Sequence, residues 1–236
     1  MQADGHAEEQ RFIIVTGPGR SGTSAVGRVL HESGVTMGRS FDAPSSFNPL
    51  GFFEELPVCD LNERIMADCG MNGLEHWPAR DVVLAKAAQY GREMDGLAGD
   101  PSIQGWKDPR FCITLEAWLP HLPCAPTVVV CLRSPEAFVH SVVSIFGLSR
   151  RETLERWWAS HLRRVLDVIR DYRLEATCVV YEELVERPAE AVAALSSFIG
   201  RPLDPAFVEP GLRQFGHSVP QRHAALFAEV RSLGDR

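Results

Sequence analysis

Residues Phe12–Ser33 read FIIVTGPGRSGTSAVGRVLHES. Phe12–Val15 are apolar and partly β-branched, the composition of a strand buried on both faces. Gly17, Pro18 and Gly19 interrupt that pattern. Ser21-Gly22-Thr23-Ser24 then supplies hydroxyls on a flexible backbone. From Ala25, apolar residues recur at helical spacing as Val26, Val29 and Leu30, and Gly34 suits the position just past a helix end. A strand, a glycine-rich turn and a helix N-terminus together cradle a phosphate-like anion, because backbone N–H groups and the helix dipole converge there.

The loop is not that of a nucleotide-hydrolysing enzyme. Such a loop reads G-x-x-x-x-G-K-[ST], with the lysine reaching the β- and γ-phosphates. With Gly17 and Gly22 on its glycines, Thr23 falls where the lysine belongs. The cation moves inside the loop, to Arg20. The cradle is kept and the lysine is not. The plain alternative is a strand–helix turn that holds no ligand.

Working outward, 236 residues with 45% apolar content suit one α/β domain with an ample core. Residues 1–10 are polar and acidic and read as a flexible tail, leaving 11–236 as a single domain. The tail is neither a signal peptide nor a membrane anchor, and no apolar run reaches the length of a membrane span. A cytoplasmic protein without a membrane partner is expected. The net charge of −7 excludes a global basic field, so no nucleic-acid partner is expected and anion binding must be local. The six cysteines lack C-x-x-C spacing and read as free thiols in a reducing compartment. The eight histidines show no metal-ligand spacing, and no metal is expected. Of 24 basic residues, only Lys86 and Lys107 are lysine. That bias suits an arginine-favouring bacterial genome and makes a lysine inside a motif conspicuous, since the two cations are not interchangeable.

The rest of the chain alternates strands with helices. Residues 37–51 read as a loop and 57–69 as a helix. Asp81–Met94 reads as one helix, with Asp81 as its cap and Gly96 as its end. Ser102–Trp106 reads as a short strand, and Thr127–Leu132 (TVVVCL) as a strand buried on both faces. Ser134 and Pro135 form a cap and first-turn pair. The helix after them carries Phe138, Val142, Ile145 and Phe146 as its apolar face. Glu152–Tyr172 is a longer amphipathic helix, Thr177–Tyr181 a further strand, and Pro188–Gly200 a helix. The pattern predicts a three-layer α/β fold, P-loop-like, with a central, mostly parallel sheet flanked by helices.

Chemistry-bearing residues sit at the ends of these elements. Arg133 follows TVVVCL on the carboxyl edge of the sheet, where open α/β folds bind ligands. Ser141 lies eight residues on, about two turns into the next helix, so that a guanidinium and a hydroxyl can converge on one phosphate. Lys107 lies in W-K-D-P-R, Glu54 in N-P-L-G-F-F-E-E, and Tyr181 opens Y-E-E-L-V-E-R-P. In this order, from Phe12 to about Gly200, the motifs resemble those of sulfotransferases that use 3′-phosphoadenosine-5′-phosphosulfate (PAPS). The likeness is to the bacterial small-molecule type, with motifs similar to the tyrosylprotein sulfotransferases.

The resemblance implies roles. Arg20, Ser21, Gly22, Thr23 and Ser24 would form the 5′-phosphosulfate loop, and Arg133 with Ser141 the 3′-phosphate site. Tyr181 would lie near the 3′-phosphoadenosine. Lys107 would meet the oxygen bridging sulfate and 5′-phosphate, or else be a surface cation. Asp108 would orient it or cap the loop. Glu54 would be the general base, in an aromatic setting that raises its pKa. Glu55, Asp42, His140 and His161 are its rivals, and Glu54 is farther from Arg20 than the base of the tyrosylprotein enzymes is from their first loop. Residues 215–220 would close over adenine, with Arg222 as a phosphate contact. The region from Gly34 to Gly99 and the helix near Trp157 would build the acceptor pocket.

The implied activity moves a sulfuryl group from PAPS to a hydroxyl or amine of a small metabolite or natural product, without a metal. Adenosine 3′,5′-bisphosphate would leave. The implied partner is a small-molecule acceptor, and the protein would be a monomer or homodimer. The alternatives are a P-loop kinase of a small metabolite and a non-catalytic nucleotide-binding module. Thr23 in place of the lysine opposes the kinase, as does Arg133 where a strand-terminal acid would hold magnesium.

Overall fold

A strand with no polar residue to turn outward needs helices on both of its faces. The computed structural model describes residues 11–45, 48–71, 77–148, 150–209, 211 and 218–235, and it supplies those helices. Strands β1 (Ile13–Thr16), β2 (Gly105–Lys107), β3 (Thr127–Leu132) and β4 (Ala176–Val180) form one sheet in the order β2-β1-β3-β4. Every pairing is parallel.

Successive side chains on a strand point to opposite faces. Ile13, Val15, Val129, Cys131 and Val179 therefore pack on one side, against α1 (Thr23–Glu32), α8 (Tyr181–Glu186) and α9 (Pro188–Ile199). Phe12, Ile14, Trp106, Val128, Val130 and Leu132 pack on the other. That layer holds α2 (Leu56–Asp68), α3 (Arg80–Ala87), α4 (Gly91–Ala98), α5 (Phe111–Trp118), α6 (Pro135–Phe146), α7 (Arg151–Tyr172) and α10 (Gln221–Arg231). The three-layer reading holds, and the sheet is parallel throughout.

Most boundaries follow local chemistry. Ser134 caps α6, its hydroxyl accepting from the Ala137 N–H at 3.4 Å, and Pro135 occupies the first turn. Gly200 ends α9 in the left-handed conformation. The strand read from Ser102 begins only at Gly105, because Asp100 accepts from the Ser102 N–H at 3.0 Å and holds that segment in a turn. Tyr181 belongs to α8 rather than to β4.

Expectations for two helical segments are corrected. Asp81–Met94 is not one helix: α3 ends at Ala87, a 3-10 turn spans Ala88–Tyr90, and α4 starts at Gly91. In that turn Gln89 and Tyr90 both donate to Asp68 at the end of α2, which draws the backbone out of register. Ala79, not Asp81, precedes the first turn, and Gly96 lies inside α4, which Gly99 ends. Phe146 is not core but 54% exposed, because α6 stops at Gly147 directly after it.

The strand order puts a topological switch point between β1 and β3, the place where open α/β sheets bind ligands. The loop after β1 and Arg133 after β3 meet there. Trp158 of α7 fixes this edge, its indole N–H donating to the Arg133 carbonyl at 3.0 Å. No disulfide joins the six cysteines. Among the described residues, no helix is long and apolar enough to cross a membrane.

Ile14 is fully buried on the central strand. Ile14→Ala should destabilise the protein by about 2–5 kcal/mol, the range for truncating a buried isoleucine. The check is a lower urea midpoint with an unchanged slope. An unmoved midpoint would place Ile14 outside the core.

Candidate active site

The loop after β1 turns on two left-handed residues, Arg20 (φ 73°) and Gly22 (φ 91°). A side chain at Gly22 would put its Cβ 2.5 Å from Tyr181 Cδ2, so glycine is required there. Arg20 holds the same backbone region with a side chain, a strain that functional loops tolerate. Its Nε lies 3.5 Å from Ser141 Oγ on α6. Arg133 donates from its guanidinium to the Arg20 carbonyl at 3.0 Å and lies over the Tyr181 ring, 4.2 Å from its centroid. Arg133 is buried, which pulls its pKa down, while Tyr181 and Glu182 beside it act the other way. Burial pushes the Tyr181 phenol up. Ser21 is fully buried, and its hydroxyl has no partner among the described residues. Beside them lies a cleft of about 90 Å³, lined by Arg20, Thr23, Ser24, Asn48, Arg133 and Tyr181 among others.

A second cluster adjoins the cleft through Ser24. Lys107, the last residue of β2, has no exposed side-chain surface. Its ammonium donates to Ser24 Oγ at 3.3 Å and forms an ion pair with Glu54. Gly27 makes room for this, since a Cβ there would meet Lys107 Cγ at 3.2 Å and Phe53 Cβ at 3.3 Å. Phe53, directly before Glu54, is a further left-handed residue (φ 55°). Arg110 donates to Glu54 Oε2 at 3.1 Å and to Asp108 Oδ1 at 2.9 Å. The chain continues inward: Asn62 Nδ2 donates to Asp108 Oδ2 at 2.8 Å, and the Trp118 indole donates to Asn62 Oδ1 at 2.8 Å.

Burial alone would push the Glu54 carboxyl up. The Lys107 ammonium and then the Arg110 guanidinium more than offset it and hold Glu54 below the ordinary carboxylate range. The aromatic setting therefore does not decide its pKa, contrary to the sequence-based expectation. Asp108, fully buried, is raised by desolvation despite Arg110. Donor atoms of Glu54, Cys59 and Asp108 lie within 4.8 Å of one another. A metal ion among them would face the Lys107 ammonium that already pairs with Glu54 and the Arg110 guanidinium that bridges both carboxylates.

No protein-family model and no curated protein matches the chain. Solved structures do. The chain aligns with the sulfotransferase domain from the Synechococcus PCC 7002 olefin synthase at a TM-score of 0.51 and 20% identity, over 94% of this chain and 87% of that one. It aligns with the sulfotransferase STF9 from Mycobacterium avium at a TM-score of 0.51 and 16% identity, over 93% and 76%. The fold is that of a sulfotransferase.

On this sulfotransferase fold, Arg20, Ser24, Glu54, Lys107, Arg133, Ser141 and Tyr181 lie at one edge of the sheet, in two adjoining groups. Arg20, Ser141, Arg133 and Tyr181 meet in one; Ser24, Lys107 and Glu54 meet in the other. Lys107 is not a surface cation. Glu54 contacts Lys107, whereas its rivals are engaged or placed otherwise. Glu55 accepts the Arg39 and Ser40 N–H groups at 2.6 and 2.9 Å. Asp42 and His140 are exposed. His161 is buried against Trp77 and Trp157, its Nδ1 2.8 Å from the Trp157 carbonyl, and burial lowers its pKa to about 4. Arg222 does not reach the cleft; it pairs with buried Glu155, as does His223 beside it. Residues 215–217 of the expected adenine loop lie outside the described residues.

Sequence reasoning missed Arg110 and Asn62. Arg110 stood beside Lys107 in the same motif. Asn62 is a polar residue inside the apolar stripe of α2, between Val58 and Ile65, and that interruption was its signal.

A carboxyl whose folded pKa is lowered contributes stability above its unfolded value and loses it as the pH falls through the folded value. Glu54 is lowered from 4.5. As the pH falls from neutral to well below 4.5, the urea midpoint of the unmodified protein should therefore fall further than that of Glu54→Gln. Equal falls would mean that the ion pair does not hold in solution.

Proposed function

We propose that this protein transfers a sulfuryl group from PAPS to a hydroxyl or amine of a small metabolite or natural product. The observation that carries the reading is the adjacency of the two clusters: an ammonium–carboxylate pair one hydroxyl away from an arginine-lined phosphate cleft. The sulfotransferase fold supports it.

The residues fit the donor. Arg20 and the amides at the start of α1 suit a 5′-phosphosulfate, and the partnerless Ser21 hydroxyl suits a buried anion oxygen. Arg133, with Ser141 and the Tyr181 ring nearby, suits the 3′-phosphate. PAPS supplies a sulfuryl group whose sulfur–oxygen bond to phosphate breaks as the acceptor oxygen bonds to sulfur, releasing adenosine 3′,5′-bisphosphate. Glu54 takes the acceptor proton. Lys107 neutralises charge that grows on the departing phosphate, an interaction stronger in the transition state than in the ground state.

Adenosine 3′,5′-bisphosphate should bind more tightly than ATP, because Arg133 reads a phosphate that ATP lacks. Arg133→Ala should remove most of that preference, about 2–5 kcal/mol for a desolvated charge contact. Calorimetry decides it; equal affinities in the unmodified protein would refute the donor assignment. Lys107→Ala should slow single-turnover transfer at saturating PAPS by about 10²–10³-fold, the scale of one lost oxyanion donor. Lys107→Arg should restore only part of it, since a planar fork cannot place a compact charge on one oxygen. An unchanged rate in Lys107→Ala would remove the lysine from the mechanism.

A further inference from the structure

Two cations hold Glu54, and they are not held alike. Arg110 is anchored from behind: its guanidinium bonds Asp108, which is fixed in turn by Asn62 and Trp118, all three buried. It also pairs with Glu63 on α2. Lys107 has no such anchor. Among the described residues its ammonium touches only Glu54 and the Ser24 hydroxyl, and Ser24 lines the phosphate cleft. A compact ammonium on a four-carbon stem moves by rotamer changes alone, whereas the doubly bonded guanidinium does not.

We propose that Arg110 is the permanent partner of Glu54 and Lys107 an exchangeable one, so that an anion seated in the loop draws Lys107 off Glu54 and makes Glu54 a stronger base only when the donor is present. This rests on the reading that the cleft binds the donor nucleotide. Without donor, the fully buried lysine and the largely buried base neutralise each other. With donor, one cation leaves the carboxylate, and the carboxylate's affinity for a proton rises. The groups facing Glu54 permit this assignment. On the β2 side they are Lys107, Arg110 and Asp108. On the α2 side they are Cys59, whose thiol burial and the two carboxylates raise out of the titrating range, and Glu63, which pairs with Arg110. Asp108 is held by Asn62 and Arg110, so Lys107 is the group whose departure changes Glu54.

The exchange is a coupling between the nucleotide and the Glu54 proton, and such coupling is reciprocal. The test is calorimetric titration of the full-length protein with adenosine 3′,5′-bisphosphate. Glu54→Gln frees Lys107 beforehand and should tighten binding by about fivefold or more near neutral pH. The gap should narrow as the pH falls, as protonation makes Glu54 resemble glutamine. In a Lys107→Met background, Glu54→Gln should change affinity by less than about twofold, because no exchangeable cation remains. If Lys107→Met does not fold, proton counts in two buffers of unlike ionisation enthalpy decide. The unmodified protein should then take up more protons on binding than Glu54→Gln does. Equal affinities with equal proton counts, or the same gap persisting in Lys107→Met, would overturn the exchange while leaving the donor reading intact. If neither the unmodified protein nor Glu54→Gln binds the bisphosphate, the donor reading fails and the exchange falls with it.

Discussion

The parallel pairing of β1 with both β2 and β3 is the constraint on which the site depends. Its register sets Val15 opposite Lys107 and Thr16 opposite Val130. Lys107 is thereby level with the end of β1, where the glycine-rich loop begins, and Arg133 is carried to the same edge three residues beyond Val130. A one-residue slip would turn Lys107 to the opposite face of the sheet. The apolar residues that alternate along β1 and β3 forbid that slip, because it would exchange the two halves of the core. Packing far from the cleft thus determines which charges meet in it.

The charges that meet are nearly balanced. Lys107 and Arg110 face Glu54 and Asp108 in a largely buried cluster, while Arg20 and Arg133 face a cleft open enough for an anion. An unpaired buried charge is costly, so the first group is held together by its own pairing. The second carries surplus positive charge in a protein whose net charge is −7. The attraction for a phosphate is local, a matter of a few arginines and backbone amides rather than of the whole surface. Left-handed backbone at Arg20 and Phe53, next to each group, shows the fold holding strained conformations where the chemistry sits.

Much of this was legible in the sequence because its signals are local. The all-apolar TVVVCL run, the glycines of the first loop, and the Ser134-Pro135 start of α6 each specify their own few residues. So did the residues of the cleft, which lie at strand ends where ligand groups of such sheets belong. What was not legible is long-range. Lys107 and Glu54 were both singled out, yet nothing in either motif says that they pair across 53 positions. The direction of the Glu54 shift was missed for the same reason: its aromatic neighbours are adjacent in sequence, while its two cations arrive through folding. The break at Ala88–Tyr90 depends on Asp68 from another helix, and a window over Asp81–Met94 does not contain it.

The central claim is that these two clusters act together as a sulfuryl-transfer site. Radiosulfur-labelled PAPS, incubated with the protein and a mixed panel of hydroxylated and amine-bearing small molecules, tests it directly. The account predicts label on an acceptor, in amounts matching the adenosine 3′,5′-bisphosphate released. Intact PAPS across the panel, with the terminal phosphate of ATP transferred to an acceptor instead, would contradict it.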